Sequence, residues 1–171
     1  MKVWLRHPLT WAIGSVVTLG LLMVGVIWAL RPRPPLPDAI YSRLNFPLLA
    51  PASGSAYKIQ QSTAKYNAPS RVVLFHVANG NQNMLVTEQA TPDPFNDIPN
   101  YYQTLVNDLR DYADISTASG TVSLTRPVEL KGQQTAVSNN KGVLIFVRPN
   151  HDLSEDQWRA FFNDLAMVKP H

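Results

Sequence analysis

Between Leu9 and Leu30 the chain runs LTWAIGSVVTLGLLMVGVIWAL, 22 residues without a charge and with only Thr10, Ser15 and Thr18 polar. As a helix this segment is roughly 33 Å long, enough to cross a hydrocarbon core of about 30 Å. No water-exposed domain can absorb such a stretch, so the globular part must be built from the residues after Leu30. Trp11 and Trp28 stand about 25 Å apart on that helix, where indole rings favour the two interfaces. Arg31 and Arg33 come next, in RPRPPLP; their side chains can snorkel to headgroups while the prolines stop the helix. Residues 9–30 are therefore read as a transmembrane helix behind a short tail, 1–8, with Trp11, Trp28, Arg31 and Arg33 as membrane-interface residues. A cleaved signal peptide would have a shorter apolar core and a small-x-small site, which RPRPPLP does not offer. Thr10, Gly14 and Thr18 recur at four-residue spacing, a stripe compatible with weak homodimerisation through the helix, or with the ordinary small-residue content of spans.

Charge is distributed unevenly. Of 15 Lys and Arg, four lie in the first 35 residues, where there is no acid; the remaining eleven meet all 12 Asp and Glu. The basic balance thus belongs to the flanks of the apolar run, and the rest of the chain is near neutral. A nucleic-acid-binding domain needs a clustered positive face, so no nucleic-acid partner is expected. With no cysteine, disulfides, thiolate metal sites, cysteine nucleophiles and lipoprotein anchoring are excluded. Basic residues flank both ends of the run, so the positive-inside bias is nearly balanced. A short basic tail before one anchor favours a signal-anchor with the domain on the extracytoplasmic side of the cell membrane; a tethered cytoplasmic domain is the alternative.

Residues 31–38, rich in Pro and Arg, read as a stiff polyproline spacer. From 39 to 171 the pattern is that of one extracytoplasmic α+β domain. Tyr57–Thr63 alternates as a strand. Arg71–Ala78, carrying VVLFHV, and Met84–Gln89 flank Asn79-Gly80-Asn81 and read as a hairpin. Pro99–Asp111 places Tyr102, Leu105, Val106 and Leu109 on one helical face. Ile115–Ser119, Thr121–Pro127, Gln133–Ser138 and Gly142–Arg148 are strand candidates. The last helix has Ser154 and Gln157 as a capping box, Leu153 as a staple onto Trp158, and Trp158, Phe161, Phe162, Leu165 and Ala166 as its apolar face. The expected order is βββ-α-ββββ-α: an antiparallel-rich sheet with two helices packed on one face.

Chemistry is sparse. His76 shares a strand face with Val72 and Leu74, the pattern of a half-buried histidine. His151, Asp152 and Ser154 are sequence neighbours, which seldom align as base, orienter and nucleophile, and Ser154 is better used as a cap. Asp93, Asn96 and Asp97 offer oxygen ligands for a weak calcium site, without the residue order of an EF-hand. The chain is read as carrying no catalytic, cofactor-binding or metal site and as not being an enzyme. Asp93, Asp97 and Tyr101, in and beside the proline-rich loop, form the candidate partner surface.

FPLLAP at 46–51, VVLFHV at 72–77, LVTEQATP at 85–92, GVLIFVRP at 142–149 and LSEDQWRAFFNDL at 153–165 carry a resemblance. Through them the chain resembles the small single-pass envelope proteins of reduced-genome, candidate-phyla bacteria with one extracytoplasmic domain of unknown function. That resemblance implies an architecture and no activity, since each of these segments packs rather than reacts. The expected function is a membrane-anchored, non-catalytic domain, held in the lipid bilayer by 9–30, that binds another envelope protein or a cell-envelope ligand. An envelope enzyme using Asp93 and Asp97 with His76, or a membrane-tethered cytoplasmic adaptor, is the alternative.

Overall fold

The computed structural model describes residues 34–169; the transmembrane helix expected at 9–30 and its interface residues Trp11, Trp28, Arg31 and Arg33 lie outside them. Among the described residues no helix is long and apolar enough to cross a membrane. The elements in chain order are α1 (Asp38–Tyr41), β1 (Leu48–Pro51), β2 (Lys58–Asn67), β3 (Val72–Asn79), β4 (Gln82–Ala90), α2 (Pro94–Asp97), α3 (Tyr101–Asp108), β5 (Asp111–Thr117) and β6 (Gly120–Thr125). A 3-10 turn (Val128–Leu130) comes next, then β7 (Thr135–Asn140), β8 (Val143–Pro149), α4 (Glu155–Asn163) and β9 (Leu165–Val168). The fold is α+β, with one large antiparallel sheet and few helices.

Seven strands form that sheet in the order β2-β3-β4-β8-β7-β6-β5, all pairs antiparallel, while β1 and β9 make a separate two-stranded ribbon. The β3–β4 hairpin closes where Gly80, at φ +56°, takes the first central position of the turn, a conformation that costs a residue with Cβ more than glycine. At the β2 edge the ladder slips between Gln60 and Lys65. There the Thr63 hydroxyl accepts the His76 N–H at 2.9 Å and donates to Gln60 O at 2.7 Å, filling the gap in the ladder. Such a bulge blunts an exposed edge.

Because strand side chains alternate, Val73, Phe75 and Val77 of β3, Met84, Val86 and Glu88 of β4, and Val143, Ile145 and Val147 of β8 share one face, all buried. That face is covered by α4, by the ribbon, and by Leu36, Tyr41, Leu44 and Phe46 from the segment leading into β1. Leu36, inside the stretch read as a spacer, is 1% exposed and part of this core. The α4 capping box forms as expected: Gln157 N–H donates to Ser154 Oγ at 3.3 Å and Ser154 N–H to Gln157 Oε1 at 2.8 Å. Trp158, Phe161 and Phe162 are fully buried beneath the helix. The helix stops at Asn163, however. Leu165 and Ala166, expected on its apolar face, belong to β9 and pair with Pro51 and Ala50.

Helix α3 also departs from the expected arrangement. Val106, with the partly buried Tyr102 and Leu109, packs against Val137, Leu144 and Phe146, which alternate with the residues under α4. The two main helices therefore lie on opposite faces of the sheet, not on one. The physical reason is in β8: VLIFV is apolar at every position, so both of its faces need covering.

Among the described residues one acidic side chain is buried, and it sits in the main core. Glu88 is 0% exposed; its Oε2 accepts the Leu49 N–H at 2.9 Å, and Oε1 has no partner among the described residues. Burial pushes its carboxyl well above the ordinary carboxylate range, opposed by the weaker effect of the Leu49 bond. A pKa raised in the folded state gives stability that is fully present below the unfolded value and is lost as pH rises toward the folded one. Urea unfolding from pH 4 to 8 should therefore show the midpoint falling as pH rises, and Glu88→Gln, which keeps an acceptor for Leu49, should flatten that slope. Identical slopes in the two proteins would remove Glu88 as the cause.

Candidate functional site

The face away from α4 is only partly roofed. Helix α3 lies over the β6–β7–β8 side, pinned by Tyr102, whose hydroxyl is 2.9 Å from Val137 O and 3.2 Å from Ser123 Oγ. Ser123 in turn donates to Asp114 at 2.7 Å. Burial pushes the Tyr102 phenol up, with the Ser123 hydrogen bond acting in the other direction. This Tyr–Ser–Asp chain superficially resembles reactive machinery, but Ser123 is 2% exposed beneath the helix. It is a polar pin for α3.

Beyond α3 the sheet is open. The cross-strand register places Phe146, Thr87, Leu74 and Lys65 side by side on one row, and Arg148, Leu85, His76 and Gln60 on the next. Phe146, Thr87, Leu74, Arg148 and Leu85, with Thr135 and with Leu130 from the 3-10 turn, line an open groove of about 300 Å³. Its floor is apolar. Val128, on the same turn as Leu130, is among the few large apolar side chains that are exposed among the described residues. Beside the groove, His76 is half-buried and its Nδ1 lies 2.9 Å from Asn83 Oδ1, within hydrogen-bond distance.

The loop after β4 is a separate place. Asp93 and Asp97 are exposed at the two ends of α2, and Tyr101 is half-buried with its ring edge-on to Phe95 at 5.0 Å. None of the three lines the groove. Nor do the two aspartates meet His76. His76 pairs with Leu85 near the turn of the hairpin, whereas Asp93 lies past the far end of β4 at Ala90, about 17 Å further along at strand rise. Among the described residues no three His, Asp or Glu side chains are grouped to hold a metal ion.

Sequence reasoning did not find the groove residues Leu74, Leu85, Phe146 and Arg148. A signal was present: the apolar positions on the second face of β3, β4 and β8 outnumber what the short stripe Tyr102–Val106–Leu109 can cover. Compared with known proteins, the chain matches no family model, no curated protein and no solved structure.

If the Tyr102 hydroxyl only fastens α3, Tyr102→Phe should cost about 1 kcal/mol in chemical denaturation and leave the circular dichroism spectrum unchanged. A loss of several kcal/mol would mean that the hydroxyl organises more of the fold than this helix.

Proposed function

We propose that this chain is a single-pass membrane protein whose α+β domain stands on the extracytoplasmic side and binds another envelope protein without catalysing a reaction. The observation that carries the binding role is the unequal covering of the sheet. One face is sealed by α4 and the ribbon, while the other leaves an apolar, open groove beside α3. An apolar floor with polar and cationic edges is the composition of a protein-contact surface. The anchoring role rests on the uncharged 22-residue run and its Trp and Arg flanks. Asp93, Asp97 and Tyr101, at the other end of the β4 strand, serve as an accessory part of the contact surface. The enzyme alternative draws no support from the separation of His76 from Asp93 and Asp97.

Two measurements on the full-length chain in its native envelope test the proposal. Added protease should cut the domain in intact cells; protection until lysis would replace this reading with the cytoplasmic adaptor. A photo-crosslinking residue at Thr87 should capture one envelope protein that the same residue at the outward-facing Asp156 does not. Equal capture from both positions would show that the open face has no special part in binding.

A further inference from the structure

The groove carries a charge pattern as well as an apolar floor. Arg148 is half-buried in its wall and has no ion pair among the described residues, where the ion pairs are those of Arg126 with Asp152 and of Arg159 with Glu155 and Asp156. Lys65, one strand beyond Leu74 on the Phe146 row, is exposed and equally without an acidic partner; Lys58 stands on the same edge strand. The acids of this sheet face are on β5, at the opposite edge, where Asp114 is engaged by Ser123. Closer to the groove, the 3-10 turn and its exit bring Glu129 and Lys131, both exposed and opposite in sign. The groove is therefore cationic on balance, with Arg148 in its lining and no acceptor for its guanidinium among the described residues.

We infer that the groove receives an extended segment of a partner protein in which an apolar side chain is flanked by two carboxylates, one meeting Arg148 and the other Lys65. This rests on the protein-binding reading above and specifies its partner. The apolar side chain seats on Leu74, Leu85 and Phe146. A planar guanidinium takes a carboxylate through two parallel hydrogen bonds, and the half-buried setting shields that pair from water. Arg148 and Lys65 are separated by three strand spacings and two residues of strand rise, about 16 Å between their Cα atoms. An extended peptide covers that span in about five residues, and because its side chains alternate in direction the two acids stand about four positions apart with the apolar residue midway, all three facing the groove. The short floor favours one seated side chain over the long acyl chains of an anionic lipid, the other source of negative charge near a bilayer.

The test uses the full-length chain, crosslinked from Thr87 in its native envelope, with the captured peptide sequenced by mass spectrometry in wild type, Arg148→Gln and Arg148→Glu. The captured segment should carry two acids around an apolar residue, and its yield should fall about tenfold in Arg148→Gln and further in Arg148→Glu. Unchanged thermal midpoints in both variants would tie the loss to binding. Capture of a segment without acids, or capture insensitive to Arg148, overturns this inference while leaving the protein-binding reading intact. No capture from Thr87 overturns both. Independently of the variants, the wild-type chain in nanodiscs is titrated with a peptide of about ten residues bearing Leu midway between two Glu about four positions apart. It should bind the chain more tightly than versions with Lys for Glu or Ala for Leu, and less tightly as salt rises. No preference among the peptides, or vesicles of phosphatidylcholine with 30% phosphatidylglycerol (about three anionic lipids in ten) binding in an Arg148-dependent way in their place, would overturn the peptide assignment.

Discussion

Apolar side chains on both faces of β3, β4 and β8 are the constraint to which the rest of the domain answers. A strand that is apolar on one face needs one cover; these need two. The first cover is thick: α4 lays Trp158, Phe161 and Phe162 across Phe75, Ile145 and their neighbours, and the ring of Tyr57 stands edge-on to Phe161 at 5.1 Å. The second cover is α3, eight residues long, with Val106 as its one fully buried side chain. The mismatch between a wide apolar face and a short helix is what leaves the groove beside it.

Polar side chains then decide where the covers attach. Gln134 is buried and holds the approach to α4 from both sides, accepting the Leu153 N–H at 2.8 Å and donating to Leu153 O at 3.1 Å. Glu88 does the equivalent for β1 through Leu49. Tyr102 does it for α3. An apolar surface is indifferent to small slides of its cover, whereas each of these bonds has one geometry. Position is set by a few hydrogen bonds and adhesion by the area around them.

The same division explains what could be read from the sequence. The β3–β4 hairpin, β8 and the cap of α4 were legible because their determinants are local: a Gly in a tight turn, an unbroken apolar run, a Ser and a Gln three apart. The ribbon was not, because β1 and β9 are four residues each and are defined by pairing across most of the domain. Leu165 and Ala166 even continue the helical spacing of Phe161 and Phe162, so periodicity alone extends α4 too far. The side of the sheet taken by α3 was hidden as well, since an amphipathic stripe says that a helix packs but not on which face. The groove was further from view. Its walls come from four strands and a turn, and Arg148 acquires its setting only when β8 lies between β4 and β7. Asp93 and Asp97 stand out as acids in a loop, yet nothing local shows that they lie at the other end of the sheet from His76.

The ribbon also has a mechanical side. Leu48, where the chain enters β1, is paired with Val168, where it leaves β9, and Pro51 is paired with Leu165 at the inner end. Tension between the two ends of the domain lifts Leu36, Tyr41, Leu44 and Phe46 from the core and breaks the Tyr41 bond to Lys169 O, then falls on the Leu48–Val168 pair and opens the ribbon like a zipper, one rung at a time. The entry segment and the four rungs of the ribbon thus act as a fuse that yields while the seven-stranded sheet stays in register.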